Sequence, residues 1–446
     1  MAEKDSSDPL PFSLSNLGQV VLAGASAAFV LRAGGAALKY LMEVLFARWL
    51  GTEAYGAFAY AYNWAQLLSI VAGLGLVTAT LRFVPAYEVE EAWGRLRGLV
   101  GWSQRMTVGA GLLLAGLGVS ILWAVSYEHW ITLVFGLASV VPMALIAVQS
   151  SLMRGLKQMT AAFFGRYILW PVGSIGAVFL LLRATEMSSG AIATGGVALA
   201  LTVIALGQIG LIRWVFPDPV WAAEPDQSLT RRWFLVSVPL LLMSGFQMVL
   251  NRADVLMVGT LLGATEAGLY NAGARTARLL SFLLSAFNAI AAPMISEYWA
   301  QRDREGLEAL FTRVIQWVFW PSVVLAVGLF AFGGPILRIF GPEFDIAWGV
   351  LVLVGVGQLI NAVTGPVGYL MGLTGHERAT AWVYGVSAGA NVGLNLLLVP
   401  PLGLMGGAIA TMISVALQNL WLVGMMRNRV GIDIFAVWGR ALLFRT

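Results

Sequence analysis

The 446-residue chain contains no cysteine and only two histidines. The first absence excludes disulfides, thiolate nucleophiles and cysteine-ligated metals. His129 and His376 stand alone in expected loops, so no nucleophile–base pair and no metal cluster can be built around them. A Walker-type phosphate loop is also missing, and the glycines of Gly355-Val356-Gly357 lie in an apolar run, which argues against ATP hydrolysis. The chain reads as a non-enzyme with no cofactor and no metal. Charge is equally scarce. Only 11% of residues are charged, whereas 59% are hydrophobic and the mean hydropathy is +0.80. A soluble chain of this length needs far more polar surface.

What is present are apolar runs of about 20 residues, the length that crosses a bilayer. Twelve spans are predicted near 17–47, 55–80, 99–125, 130–152, 160–182, 189–212, 233–260, 268–292, 310–332, 344–370, 379–399 and 403–425. The first and seventh exceed one crossing and are expected to tilt. The 51 glycines suit close helix packing in lipid. The acidic opening segment (Glu3, Asp5, Asp8) does not read as a cleavable signal peptide. With the N-terminus inside, nineteen of the 27 basic residues fall in cytoplasmic segments, three on the opposite side and five within spans. That asymmetry predicts an even number of spans with both termini cytoplasmic. It also gives the pI of about 9.4 a membrane meaning and no nucleic-acid one.

The chain repeats itself. Leu50-Gly51-Thr52-Glu53-Ala54-Tyr55-Gly56 is echoed by Leu262-Gly263-Ala264-Thr265-Glu266-Ala267-Gly268, and Leu67-Leu68-Ser69 by Leu279-Leu280-Ser281, at the same offset of 212. Gly190-Ala191-Ile192-Ala193-Thr194 returns intact as Gly407-Ala408-Ile409-Ala410-Thr411. Two related six-span lobes are predicted, at 17–215 and 232–425, pointing the same way in a parallel repeat. A cytoplasmic tail (1–16) precedes them. Residues 216–231, with three prolines, read as an exposed cytoplasmic linker. Residues 426–446, including the stretch from Ile432 to Trp438, read as a basic amphipathic tail. Two joined halves suggest a transporter with its site between them.

Ionisable residues within spans mark function first. Arg32, Lys39 and Glu43 lie in the first span, Arg252 and Asp254 in the seventh, and Arg275 and Arg278 in the eighth. Lys39 and Glu43 are four apart, and Arg275 and Arg278 three apart, so each pair shares a helix face. Arginine keeps its charge at depth and grips phosphate oxygens with two parallel donors. Arg32, Arg252, Arg275 and Arg278 are therefore candidates for a cationic pocket that takes a phosphate or diphosphate. The alternative is local pairing of Lys39 with Glu43 and Arg252 with Asp254, which leaves a surplus of positive charge. Glu43, Asp254 and Lys39 are candidates for charge balance or for coupling to H+ or Na+. Tyr60, Tyr62, Trp64, Asn288 and Asn361 are candidate sugar contacts. Packing is the competing role for the aromatics.

Several segments resemble bacterial oligosaccharide flippases: Phe46-Ala47-Arg48-Trp49-Leu50-Gly51-Thr52-Glu53-Ala54-Tyr55-Gly56, Leu81 to Tyr87, Asp254 to Gly259, Gly268 to Ala272, Pro293 to Glu305, Phe340 to Phe344 and Gly403 to Thr411. Their number and order cover residues 30–425. The resemblance implies the polysaccharide-export (Wzx-type) branch of the multidrug/oligosaccharidyl-lipid/polysaccharide exporter superfamily. It implies an all-α, V-shaped bundle of two lobes around a central cavity. It further implies alternating access that moves an undecaprenyl-diphosphate-linked oligosaccharide across the bacterial inner membrane for surface polysaccharide assembly, with a polysaccharide polymerase among the partners. Related lipid II flippases usually have fourteen spans, and multidrug exporters of the superfamily take cationic drugs. A surplus of buried positive charge suits the latter poorly. An ion-coupled small-molecule exporter, a lipid II flippase and a non-transporting scaffold are the other readings.

Overall fold

The computed structural model describes residues 14–125, 128–185 and 189–433, all in helices and the turns between them. The first half contains α1 (Leu14–Leu50), α2 (Thr52–Ala72), α3 (Leu76–Val89), α4 (Trp93–Val125), α5 (Trp130–Ala138) and α6 (Val140–Gly155). It continues through α7 (Met159–Phe164), a π-helical turn (Gly165–Leu169), α8 (Trp170–Thr185) and α9 (Gly190–Val215). The short α10 (Asp218–Ala222) lies in the linker. The second half contains α11 (Thr230–Leu262), α12 (Ala264–Ala277), α13 (Leu279–Gln301), α14 (Arg304–Ala331) and α15 (Gly333–Leu337). A 3-10 turn (Pro342–Ala347), α16 (Trp348–Thr364), α17 (Val367–Leu373), α18 (Glu377–Leu402) and α19 (Leu404–Arg429) complete it.

Nine helices among the described residues are long and apolar enough to cross a membrane, and the α2–α3 pair, bent by 42°, makes a tenth. Helix α1 and the α12–α13 pair, whose side chains are described only in part, fall outside that count. The predicted total of twelve is not reached among them. The helices also overrun or interrupt the predicted spans. The second span breaks at Gly73-Leu74-Gly75. The tenth breaks at Gly365-Pro366, where proline has no N–H to continue the helix. The predicted tail begins inside α19, which runs to Arg429; the part of it from 434 onward, like residues 1–13 of the N-terminal tail, lies outside the described residues.

The repeat builds the same hairpin twice. Gly51 joins α1 to α2 with φ 78° and ψ 174°, and Gly263 joins α11 to α12 with φ 114° and ψ −178°. That backbone region is open essentially to glycine alone. The next repeated pair, Gly56 and Gly268, meet each other. A Cβ on Gly56 would stand 1.7 Å from the Ala264 carbonyl oxygen, and one on Gly268 would stand 2.9 Å from the Gly56 Cα. Equivalent residues in mutual contact straddle the axis that relates the halves. The last echo is used alike: Gly190 packs on Ala54 and Ala57 of α2, and Gly407 on Tyr270 of α12.

The halves close tightly at the end remote from the linker, called here the far end. There Arg48 Nε donates to the Ile339 carbonyl at 2.6 Å, and Thr52 Oγ1 to Glu343 Oε2 at 2.6 Å. Phe340 and Phe344 of the second half pack against Tyr40 and Tyr55 of the first, within one buried apolar cluster. The linker is largely exposed but anchored at a few points. Arg97 Nη1 donates at 2.7 Å to the carbonyls of both Trp221 and Ala223, while Phe216 and Val220 are buried. Trp233, at the start of α11, is buried against Trp102 and donates to the Tyr87 hydroxyl at 2.8 Å. Its aromatic and aliphatic residues cover the end of α4, which prolines and acids alone would not reveal.

Candidate functional site

Two carboxylates are buried in the seam, each held by a tyrosine of the following helix. Glu43 on α1 is 2% exposed, accepts from the Tyr55 hydroxyl at 2.9 Å and from Asn271 Nδ2 at 3.1 Å, and forms an ion pair with Arg275 Nη2 at 3.2 Å. Asn271 and Arg275 belong to α12, so Glu43 ties one half to the other. Asp254 on α11 is 1% exposed and accepts from the Tyr270 hydroxyl at 3.1 Å and from Thr411 Oγ1 at 3.4 Å, with Arg278 Nη1 at 3.9 Å. All of these partners lie in its own half. Arg278 owes its position to the chain break between α12 and α13, where it caps the end of one helix and precedes the other.

Neither local pair considered from the sequence forms. Arg252 donates to Asn63 Oδ1 at 3.1 Å, across the seam, and its buried Nε has no partner. Lys39 sits over the Trp170 ring at 4.5 Å and the Tyr62 ring at 5.5 Å, a pair of stacked aromatics. Cation–π contact thus replaces an ion pair with Glu43. Arg278 keeps one buried Nη2 without a partner. Lys39, Arg252, Arg275 and Arg278 therefore share two carboxylates, and the seam carries a surplus of positive charge. Uncompensated buried cations are costly unless an anion joins them. The unspent guanidinium donors suit phosphate oxygens.

Arg32 does not join this group. It precedes Glu43 by 11 residues on α1, about 16 Å along a helix axis. Of the candidate sugar contacts, Tyr60 is buried and hydrogen-bonds Thr260 Oγ1 at 2.9 Å, and Trp64 meets its ring edge-on. Tyr62 is buried between Phe58 and Trp170. These aromatics pack within the first half, and Tyr60 alone of the three bonds across the seam. Asn288 is buried with Oδ1 unpartnered, and Asn361 is half-buried on α16, apart from the carboxylates. The site also uses Tyr55, which reads from sequence as one more second-span aromatic, and Asn63, Tyr270, Asn271 and Thr411, which the sequence does not mark as site residues. A usable signal existed: each intramembrane acid is followed within 12 to 16 residues by a tyrosine, just past the repeated Leu-Gly turn.

Comparison with known proteins agrees with this architecture. The family model described as polysaccharide biosynthesis protein matches residues 21–299, more than half of the chain, and the MatE model matches residues 239–397. The probable low-salt glycan biosynthesis flippase Agl15 of Haloferax volcanii is 24% identical over 172 residues, 37% of this chain. The chain spans about a third (36%) of that relative's length. An inward-facing multidrug resistance MATE transporter of the MOP superfamily superposes with a TM-score of 0.74 at 14% identity, covering 91% of this chain and 96% of that one. The lipid II flippase MurJ, in an inward closed conformation, superposes with a TM-score of 0.68 at 16% identity, covering 95% and 91%. These likenesses identify the fold as the two-lobed helical bundle of that superfamily. The chain belongs to the family described as polysaccharide biosynthesis protein, and its apolar helices make it a multi-pass membrane protein.

Proposed function

We propose that this protein flips a polyprenyl-diphosphate-linked oligosaccharide, with undecaprenyl as the carrier in a bacterial cytoplasmic membrane. The diphosphate rests on Arg252, Arg275 and Arg278, the sugars occupy the space between the halves, and the polyprenyl tail stays in lipid. The observation that carries this reading is the surplus of buried guanidinium donors at the seam over Glu43 and Asp254. Agl15, a flippase for glycan biosynthesis by its name, supports the substrate class. The excess of cytoplasmic arginines supports both termini inside, so that the end closed here faces outward. Rocking of the halves then exposes the headgroup to either side, and a polysaccharide polymerase receives the product. Asp254, ringed by hydroxyls inside one half, is the better placed acid for coupling to H+ or Na+. A cationic-drug exporter is disfavoured by repulsion from the same surplus charge.

The test is reorientation of a polyprenyl-diphosphate oligosaccharide in proteoliposomes. Arg252→Ala removes a charge-assisted contact and is expected to slow transport about tenfold or more. Its insertion and elution volume should match wild type. Unchanged transport by this variant would remove the diphosphate from Arg252.

A further inference from the structure

A second group of cations lies nearer the linker end. Arg154 lies in the last turn of α6, Arg166 in the π-helical turn Gly165–Leu169, and Arg32 on α1; both helices pack against that turn. Leu31, Met153 and Tyr167, which neighbour the three arginines in sequence, share one apolar cluster with Val220 of the linker and Trp233 of α11 in the other half. The group therefore borders the seam. Among the described residues, none of the three lies within 4.0 Å of a carboxylate. Their like charges would drive them apart unless the fold held them together. It does so by close packing: a Cβ on Gly35 would stand 2.6 Å from the Tyr167 Cβ, which seats α1 directly on the π turn. Arg154 lies over the Phe163 ring at 5.6 Å, and its Nε is buried without a partner.

Cations that merely anchor a protein to lipid headgroups splay outward at the membrane surface. Arg154 instead turns its guanidinium into the bundle and leaves a donor unmatched there. The π turn is itself a form that recurs at functional sites. Trp170, directly after the π turn, lies under Lys39 at 4.5 Å, and Lys39 is one helical turn from Glu43. A row of positive groups thus leads from the linker end to the central carboxylates.

We propose that Arg32, Arg154 and Arg166 form a second phosphate-binding station at the linker-end mouth of the seam, which holds a phosphate before it reaches Arg252 and Arg275. The proposal rests on the flippase reading for its direction of travel, but the station itself does not. Its ligand is a phosphate or diphosphate ester, either the headgroup being moved or that of a membrane lipid.

The experiment is calorimetric titration of inorganic diphosphate into the full chain in nanodiscs. In phosphatidylcholine discs, wild type should bind two equivalents, and Arg154→Gln/Arg166→Gln should bind one. Arg252→Gln should weaken the remaining class about tenfold and spare the station. One equivalent in wild type, unaffected by the double substitution and weakened by Arg252→Gln, would overturn the station and leave the flippase reading intact. The reverse pattern would keep the station and overturn the central site. Should the double variant not fold, the exposed Arg166→Gln alone carries the test, and an unchanged second affinity refutes the station. In phosphatidylglycerol discs, a drop from two equivalents to one in wild type assigns the station to lipid phosphate. Persistence of two assigns it to the transported diphosphate.

Discussion

The two halves share a scaffold and differ in what they hang on it. At the repeat offset of 212, Arg252, Arg275 and Arg278 of the second half stand opposite Tyr40, Asn63 and Gln66 of the first. Contacts cross the axis both ways: Arg252 reaches Asn63, while Tyr40 reaches Thr276 Oγ1 at 3.0 Å, beside the equivalent Arg275. The geometry is symmetric and the charge is not. The acids diverge in the same way. Glu43 is satisfied largely by the opposite half, whereas Asp254 is satisfied by its own. A duplicated fold has thus placed the three central arginines in one half and Glu43, which latches onto them, in the other.

The largest effect should come from the glycines on the axis. Gly56→Ala forces a methyl group against the Ala264 backbone, which cannot rotate away as a side chain could. The far end should fail to close, and transport should fall more than tenfold. Because the chain has no cysteine, spin labels at Glu53→Cys and Ile346→Cys, both exposed far-end positions, report the distance between the halves directly. A Gly56→Ala protein with the wild-type distance distribution would show that this contact does not govern closure.

Next in size is the contrast between the acids. Glu43→Gln leaves Arg275 buried without its counter-charge, a loss of about 3 kcal/mol that falls on the contact between halves. The same spin-label pair should then show a substantial open population, since a few kcal/mol suffices to invert a two-state balance. Asp254→Asn should lower thermal stability without lengthening that distance, because its partners move with it. Equal distance changes in the two variants would end the distinction between latch and internal pair.

Much of this was legible in the residues. Apolar run length exposes most spans, and the echoes expose the duplication and even the turn glycines. Surplus charge at depth marks the seam. The remoteness of Arg32 from the carboxylates follows from helix rise alone, because 11 residues cannot be compressed into one site. What the residues did not disclose is partner choice. Lys39 could be matched to Glu43 by spacing, but spacing says nothing of the Tyr62–Trp170 pair that packing brings beneath it. Arg252 likewise meets Asn63, 189 residues away, rather than Asp254 two positions on. Breaks within spans were also hidden, since a bent helix and a straight one have the same composition, as the α12–α13 junction at Arg278 shows.

The smallest effect concerns the connection between halves and sharpens the comparison by leaving it unchanged. Asp226 accepts from the Ser228 amide at 2.8 Å and faces Arg95 at 3.6 Å. The Ser228 amide chiefly, with help from Arg95, holds its carboxyl below the ordinary value of 3.8. A carboxyl depressed on folding contributes above its unfolded value and loses that contribution as pH falls through its folded one. Linker docking should therefore be constant from neutral pH down to about 5 and loosen only at stronger acidity. The Asp226 side chain is exposed, so solvent screening keeps its effect small. Hydrogen exchange of the Phe216–Gln227 peptide in Asp226→Asn should rise slightly at neutral pH and match wild type in strong acid, with the far-end distance unaltered. A far-end distance that shifted with this substitution would mean that the linker, and not Glu43, sets the balance between the halves.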